Sequence, residues 1–370
     1  MHALLVGEGD LSHGSFLRRM AAALGEHEGV TAETRVIEAP RGLRARLIDP
    51  IPRLGDLDLQ PLRWRLRYSW HVRQALEAGI GADVALVNTQ SVALLAAAPM
   101  RRTPTVLSVD VTGRQFAALE YWRPRGRAAL ASELPLETLE RRALHRAAGV
   151  LAWTEWTARS LREDYGVPAE RIVVAHPGVD VAAWAIERAA PSPDGPLRIL
   201  FVGNHAQRKG LPTLLAALPL VGRPVELHVV TNDARVDAPA DVVVHRGLAP
   251  NSPALCRRFA EADVFAFPTA ADAAPWAIVE AMAAGLPVLA SDVAAIPELL
   301  GDGAGIVVPR GDAAALAGAL RALADDPSQR AAIGRQARTR ACERYDQERQ
   351  MTRIVDVLRD ARERHARSSA

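Results

Sequence analysis

The chain has 370 residues, of which 49% are hydrophobic and 24% are charged, and its formal net charge is +2. This length exceeds one ordinary core, so two domains are expected, and the small net charge gives no support for nucleic-acid binding. No apolar run approaches the roughly 20 residues of a membrane-spanning helix, and Met1–Gly7 lacks a signal-peptide pattern. We therefore expect a cytoplasmic protein.

Short apolar runs alternate with amphipathic stretches along the chain, which is the pattern of repeated strand–helix units in an α/β protein. Each half contains six candidate strands, which suits one doubly wound domain per half. In the first half the predicted strands are Ala3–Val6, Ala32–Ile37, Asp83–Val87, Thr105–Val109, Gly149–Trp153 and Ile172–Ala175. In the second half they are Arg198–Val202, Val225–Val230, Asp241–Val244, Asp263–Phe267, Pro287–Ala290 and Gly305–Val308.

A segment rich in proline and small polar residues, 189–196, predicts a linker between the two halves. We therefore expect an N-terminal domain over residues 1–188 and a C-terminal domain over residues 197–346. A charged amphipathic helix is predicted over 347–366, and we expect it to join the N-terminal domain.

One segment, Arg41–Arg73, interrupts this rhythm with eight arginines, among which Trp64, Tyr68 and Trp70 are interspersed. A basic, aromatic stretch can lie on an anionic membrane surface. It can equally bind an acidic partner or form a solvated helical hairpin. A peripheral position on the inner face of the membrane is therefore one of three interpretations, and co-sedimentation with anionic liposomes at low salt would separate it from the others.

The only lysine of the chain, Lys209, lies in a glycine-punctuated loop, Gly203–Gly210, between a predicted strand and a predicted helix. A compact ammonium group binds phosphate well, and a helix N-terminus adds unpaired N–H groups and a positive dipole end. With Arg208 beside Lys209, the loop predicts a diphosphate site. It lacks the Gly-Lys-Ser/Thr ending of a Walker A loop and the Gly-x-Gly-x-x-Gly dinucleotide pattern. The alternative is a solvated charge at a helix end.

A second motif contains Asp272 and Glu280. A buried strand is predicted to end at Pro268, so Asp272 follows the carboxyl end of a strand, where ligands bind in open α/β sheets. Glu280 lies one turn into an apolar helix, where a carboxylate is costly unless it is hydrogen-bonded. Ribose hydroxyls would supply such donors. The alternative is that Asp272 caps the helix and Glu280 pairs with an arginine.

The two motifs together resemble the retaining glycosyltransferases of family 4. Where that family has Glu-x7-Glu followed by Ala-Met-Ala-x-Gly-x-Pro-Val, this chain has Asp272-x7-Glu280 followed by Ala-Met-Ala-Ala-Gly-Leu-Pro-Val at 281–288. Further matches lie at 176–180, 263–268 and 291–298. The match is clear over about residues 148–345, and the first part of the chain matches mainly in architecture. The resemblance implies the GT-B architecture, in which two doubly wound Rossmann-like domains face each other across a cleft.

The resemblance also implies a role for each matching residue. Glu280 would hold the donor ribose, and Asp272 would bind hydroxyls of the transferred sugar. Lys209 would neutralise the diphosphate together with the neighbouring Arg208, and Gly203 is a further candidate donor contact. We expect Lys209, Arg208 and Asp272 to act in catalysis.

Two positions depart from the family pattern. Asn204 stands where the family often has an arginine, although it remains a candidate donor contact. The donor loop contains Pro275, which has no N–H to donate. The backbone donors that face the phosphate are therefore expected at Ala273, Ala274 and Trp276.

The N-terminal domain is expected to hold the acceptor. Gly9, His13 and Gly14 follow the first strand and could approach the donor phosphates through backbone N–H groups, or could form a plain turn between strand and helix. Asp110 follows another strand, where related enzymes have a His or Asp facing the anomeric carbon. The alternative for Asp110 is an Asx turn or cap. His176 is expected to support the structure and not to act in chemistry.

We therefore expect a hexosyltransferase that moves a sugar from a nucleotide-diphosphate donor to a glycan or lipid-linked acceptor hydroxyl, with retention of configuration. The expected setting is glycan, glycolipid or envelope polysaccharide biosynthesis. No metal and no cofactor are expected, and Cys256 and Cys342 have no metal-type spacing. The alternatives are a catalytically silent nucleotide-sugar-binding subunit of a transferase complex, or a GT-B-like epimerase or sugar-phosphate synthase.

Overall fold

A computed structural model describes residues 1–9, 13–38, 54, 58–79, 81–119, 121, 131, 133–188 and 195–369. The chain divides into two compact units, which we call the first unit (Met1–Pro177 with Glu348–Ala370) and the second unit (Gly178–Gln347). Of the predicted linker, residues 189–194 lie outside the described part of the chain.

The first unit is built on a parallel six-stranded sheet with the order β2-β1-β3-β4-β5-β6. Its strands are β1 (His2–Glu8), β2 (Thr31–Ile37), β3 (Val84–Asn88), β4 (Thr105–Val109), β5 (Gly149–Ala152) and β6 (Ile172–Val174). Its helices include α1 (His13–Gly25), α2 (Gln60–Ala78), α3 (Gly113–Ala118), α4 (Glu133–Arg146) and α5 (Glu155–Glu163). The central strands are buried along their whole length, as helices on both faces require of a parallel sheet.

The second unit repeats this plan with the order β12-β11-β10-β7-β8-β9. Its strands are β7 (Leu197–Val202), β8 (Val225–Val230), β9 (Val242–His245), β10 (Val264–Phe267), β11 (Val288–Ser291) and β12 (Gly305–Val308). Its helices include α6 (Leu211–Ala217), α7 (Pro253–Glu261), α8 (Trp276–Ala283), α9 (Ile296–Leu300), α10 (Ala313–Asp325) and α11 (Pro327–Arg344). All twelve predicted strands are thus confirmed, and their ends lie within two residues of the predicted ones.

The last helix, α12 (Gln347–Ser369), belongs to the first unit from Glu348 onward. Its apolar face is buried, and the Arg364 guanidinium donates to the Ala148 carbonyl at 3.3 Å. Residues 178–188 differ from the prediction, because they pack with the second unit and not with the first. The reason is visible at Arg188, whose guanidinium donates to the carbonyls of Gly285 (2.8 Å) and Ala262 (2.7 Å).

Each sheet has a topological switch point, where the strand order reverses. In the second unit the chain runs outward from β7 through β8 and β9 and then crosses to β10 on the other side of β7. In the first unit the same reversal lies between β1 and β3. Ligands of open α/β sheets bind outside the carboxyl ends of the strands at such points, so the loops after β1, β3, β7 and β10 are where a site is expected.

The basic segment Arg41–Arg73 lies only in part within the described residues, since 41–53 and 55–57 fall outside them. In its described part, Arg63 pairs with Asp58 (2.6 Å) and Arg73 pairs with Glu77 (2.8 Å). Among the helices of the described ranges, none is long and apolar enough to cross a bilayer. Contact of this segment with an anionic membrane stays a prediction.

Two glycines in neighbouring helices of the second unit test how closely this fold is packed. A Cβ on Gly334 of α11 would overlap the Gly285 carbonyl oxygen, whereas a Cβ on the exposed Gly318 of α10 would meet nothing within 4 Å. Alanine in a helix interior is favoured over glycine by about 1 kcal/mol. We expect Gly318→Ala to raise the free energy of unfolding by up to that amount, and Gly334→Ala to lower it, because overpacking costs about 1–3 kcal/mol.

Chemical unfolding of both variants beside the wild type measures this difference. Stabilisation by both alanines would mean that α11 does not pack against the Gly285 turn as described.

Candidate functional site

The Lys209 side chain lies where β7 and β10 end side by side. Its stem passes over Gly203, because a Cβ at that position would overlap Cδ of Lys209. Its ammonium lies 4.8 Å from the centre of the Phe267 ring and 3.7 Å from Oδ2 of Asp272. Burial lowers the pKa of Lys209, and the negative charge of Asp272 opposes that shift. The structure thus holds a half-buried cation at the switch point of the second sheet.

Asp272, in the loop after β10, is shared between two cations. Its Oδ1 forms an ion pair with Arg208 Nη1 at 2.7 Å, and its Oδ2 accepts a hydrogen bond from the Thr269 hydroxyl at 3.2 Å. Helix α8 begins at Trp276 and has no side-chain cap. Asp272 therefore does not cap the helix, and its carboxylate is oriented by Arg208, Lys209 and Thr269.

Arg208 has a different environment from the one that the sequence predicted. Its side chain was expected at a diphosphate, but the residue is only 8% exposed. The guanidinium donates to the Ala271 carbonyl at 2.6 Å and pairs with Asp272. Its main-chain carbonyl accepts from the Ala270 N–H at 2.8 Å. Arg208 thus fastens the loop after β7 to the loop after β10.

Asn204 also makes a contact within the protein, and its role as a donor contact stays a prediction. Its Oδ1 accepts from the Asn232 N–H at 2.8 Å, and the Asn232 side chain accepts in turn from the Gly247 N–H at 2.8 Å. The amide of Asn204 therefore ties the loop after β7 to the loops after β8 and β9. In this structure position 204 therefore orders neighbouring loops.

The remaining donor-side residues follow Asp272 along the loop and into α8. The Ala273 carbonyl accepts from the Ala295 N–H at 3.3 Å, and Ala274 is buried. Trp276 is the first residue of α8, whose first-turn N–H groups have no partner within the helix. Glu280 is half-buried, and its negative charge partly opposes the lowering of the Lys209 pKa.

In the first unit, the loop after β1 contacts the end of β2 and the start of α1. The Gly9 N–H donates to the Ile37 carbonyl at 2.8 Å. A Cβ on Gly14 would lie 3.2 Å from the Gly9 oxygen, so a larger residue would push the two turns apart. His13 begins α1, but its side chain and residues 10–12 lie outside the described part of the chain. Two of the three predicted residues of this loop are therefore close together at the switch point.

Asp110 directly follows β4 and is half-buried. Its carbonyl accepts from the Thr157 hydroxyl at 2.7 Å. Helix α3 is capped by Thr112 in a capping box with Gln115 and not by Asp110. The cap interpretation of Asp110 is therefore wrong.

His176 is buried, with its ring centre 5.9 Å from that of Trp153 in an edge-to-face arrangement. Burial lowers the pKa of His176 to about 3. The imidazole is therefore neutral across the physiological range.

Sequence reasoning missed a cavity of about 480 Å³ within the first unit. Its floor is the buried Glu140, which accepts from the Gly113 N–H (2.9 Å) and the Tyr165 hydroxyl (2.8 Å). Side chains that line it include Trp64, Arg65, Arg114, Phe116 and Glu137. They come from three helices that are distant in sequence, and of these side chains the sequence had singled out Trp64 and Arg65, as part of the aromatic and basic segment Arg41–Arg73. Within the described ranges, no group of three or more His, Cys, Asp or Glu side chains could hold a metal ion.

Two family models match this chain and together span most of it. Residues 15–183 match the model described as Glycosyltransferase Family 4. Residues 196–326 match the model described as Glycosyl transferases group 1. Asp110, Lys209, Asp272 and Glu280 lie within these ranges, whereas Gly9, His13 and Gly14 precede them. The resemblance to family 4 is confirmed.

Curated relatives share part of this likeness. The D-inositol 3-phosphate glycosyltransferase of Pseudarthrobacter chlorophenolicus is 31% identical over 232 residues, which are 55% of this chain and 54% of that protein. The protein of the same name from Arthrobacter sp. is 31% identical over 221 residues, which are 54% of this chain and 52% of that protein. The chain thus matches about half the length of these relatives.

Solved structures match over almost the whole chain. A sucrose-phosphate synthase from Thermosynechococcus elongatus has a TM-score of 0.72 at 18% identity, covering 97% of this chain and 98% of that one. HepE of Anabaena in complex with UDP-glucose has a TM-score of 0.69 at 17% identity, covering 97% and 99%. These likenesses show the fold, a two-domain Rossmann-like GT-B fold.

The buried His176 makes the stability of the protein depend on pH. Its pKa is about 3 in the folded chain and about 6.5 in the unfolded chain, so between these values only the unfolded state binds the proton. The contribution is constant above pH 6.5, and stability is lost as the pH falls, by up to about 1.4 kcal/mol per unit. We expect His176→Gln to reduce the slope of unfolding free energy against pH between 6.5 and 5 by that amount.

Urea unfolding of the wild type and the variant at several pH values measures both slopes. Equal slopes would mean that His176 takes up its proton in the folded state.

Proposed function

We propose that this chain, which belongs to glycosyltransferase family 4, is an enzyme that transfers a sugar from a nucleotide diphosphate to an acceptor hydroxyl with retention of configuration. The observation that carries this proposal is the grouping of Lys209, Asp272 and Glu280 at the switch point of the second sheet. The names of the curated relatives and the UDP-glucose bound to HepE support it.

The donor would bind the second unit through contacts of three kinds. Lys209 would neutralise the diphosphate, helped by backbone N–H groups of Ala273 and Trp276. Asp272 would accept hydrogen bonds from hydroxyls of the sugar. Glu280 would accept them from the ribose, which would satisfy a carboxylate in an otherwise apolar helix.

In the transfer step, the acceptor oxygen forms a bond to the anomeric carbon while the bond from that carbon to the β-phosphate oxygen breaks. The electron pair of the broken bond stays on the diphosphate, where the Lys209 ammonium stabilises the developing charge. The acceptor proton goes to the leaving phosphate or to Asp110. The products are a glycoside and a nucleoside diphosphate.

We propose that the acceptor binds the first unit and occupies the cavity above Glu140. The cavity combines aromatic surface from Trp64 and Phe116 with the charged ends of Arg114 and Glu137. A polyhydroxylated ring has a matching apolar face and hydroxyl edge, and ligand sites typically join apolar walls to a few placed polar groups. This lining favours a glycan or polyol acceptor. The cavity also borders Gly113, three residues after Asp110.

A catalytically silent nucleotide-sugar-binding subunit is the second candidate. The observation that favours it is that Asn204 and Arg208 are both engaged within the protein, which leaves Lys209 as the one candidate cation of the loop for a diphosphate. A silent subunit would bind the donor but would neither transfer its sugar nor slowly hydrolyse it.

A panel of nucleotide sugars tests the donor site. We expect one class of donor to raise the melting temperature of the wild type, and Lys209→Ala to weaken its affinity by at least about tenfold, because a charge-assisted hydrogen bond contributes about 1.5–3 kcal/mol. Arg223→Ala is the control, since Arg223 pairs with Asp325 at the surface. Donor hydrolysis in the absence of acceptor separates an enzyme from a silent subunit. Equal affinities of the wild type and Lys209→Ala for the donor would overturn the loop assignment.

Two tryptophans of α2 form a matched pair for the acceptor cavity. Trp64 lines the cavity and packs on Tyr68, whereas Trp70 is 49% exposed. We expect Trp64→Ala to raise the KM for the acceptor by about tenfold, the cost of losing one well-packed aromatic contact, and to leave acceptor-independent donor hydrolysis unchanged. Trp70→Ala should change neither. An unchanged acceptor KM in Trp64→Ala would place the acceptor elsewhere.

A further inference from the structure

We infer that Arg208 is a positioning residue that holds Asp272 away from Lys209 and so keeps the Lys209 ammonium available for the donor diphosphate. The inference rests on the proposed donor site. It differs from a direct role for Arg208 at the phosphates, and its consequences for binding differ too.

The two cations treat the Asp272 carboxylate unequally. Arg208 Nη1 lies 2.7 Å from Oδ1, within the range of a strong charge-assisted hydrogen bond. Lys209 Nζ lies 3.7 Å from Oδ2, which is beyond an ordinary N–H···O hydrogen bond. The carboxylate is thus paired more closely with the arginine than with the lysine.

Arg208 is built into the loop that it holds. The same Nη1 donates to the Ala271 carbonyl at 2.6 Å, and the Arg208 carbonyl accepts from the Ala270 N–H (2.8 Å) and the Thr269 hydroxyl (3.1 Å). A guanidinium can serve a carbonyl and a carboxylate at once through its fixed set of N–H donors. The arginine therefore contacts both the backbone just before Asp272 and the Asp272 carboxylate.

Without Arg208, the Lys209 ammonium would remain in a poorly hydrated site with Asp272 beside it and the charge of Glu280 acting on it as well. Burial already lowers the pKa of Lys209, and the charge of Asp272 is the main opposing influence. Attraction between opposite charges is strong where water is excluded, so Asp272 would close on Lys209 as a hydrogen-bonded pair. A diphosphate would then have to displace a carboxylate before it could bind the ammonium.

The positioning role predicts a specific pattern in double variants. If Arg208 acts through Asp272, removing the arginine weakens diphosphate binding only while the carboxylate is present. If Arg208 touches the diphosphate directly, the loss is the same with or without that carboxylate. Double-variant cycles measure this difference.

The experiment is calorimetric titration of the full chain with UDP, GDP and ADP. We expect Arg208→Gln to weaken binding of the accepted nucleotide by about tenfold or more, and Asp272→Asn alone to change it by less than about threefold. In the double variant we expect affinity within about threefold of Asp272→Asn. A double variant as weak as Arg208→Gln would overturn the inference. Failure of the wild type to bind any of the three would overturn the proposed donor site and this inference with it.

Arg208→Lys is the control for a folding defect. It keeps a positive charge beside Asp272 but cannot serve the Ala271 carbonyl in the same way, so we expect it to retain affinity within about threefold of the wild type. Binding as weak as that of Arg208→Gln would contradict the electrostatic role. Melting temperatures of all variants are measured in parallel. If adding Asp272→Asn to Arg208→Gln does not restore nucleotide affinity, Arg208 is structural only.

Discussion

The second unit depends on one shared carboxylate. Asp272 joins the loop after β10 to the loop after β7, because Arg208 and Lys209 approach it from the latter. β7 and β10 are neighbours in the sheet because the strand order reverses there. The contact between their following loops therefore lies at the switch point. Burial makes each charge costly unless it is compensated. The loops therefore hold each other in place while a cation remains close to the carboxyl ends of the strands.

In the first unit, a buried carboxylate is compensated by neutral hydrogen-bond donors. Glu140 gathers the Gly113 N–H and the Tyr165 hydroxyl, and the burial that raises the pKa of Tyr165 keeps that hydroxyl a donor. A Cβ on Gly113 would overlap the Glu140 carboxylate, so the network also requires glycine at the start of α3. A rigid floor of this kind leaves the cavity above it with a defined shape.

The departures from the family pattern have a common physical meaning in this structure. The asparagine at position 204 orders loops through Asn232, and the arginine at position 208 orders the donor loop through Asp272. Two side chains that the motif assigns to a ligand thus make contacts within the protein. Lys209, the only lysine of the chain, lies in the same loop, with its ammonium 3.7 Å from Asp272.

The sequence alone determined the twelve strands, the two α/β units and the family, because apolar periodicity and the 272–288 motif are local properties that need no knowledge of contacts. It also singled out Lys209, through the 203–210 loop, and Asp272 and Glu280, through a second motif, as candidate donor-site residues. Tertiary structure decided the partners of Arg208 and Asn204, the membership of residues 178–188 in the second unit, and the cavity above Glu140. Each of these depends on contacts between residues tens of positions apart, and such contacts leave no periodic signal in the chain.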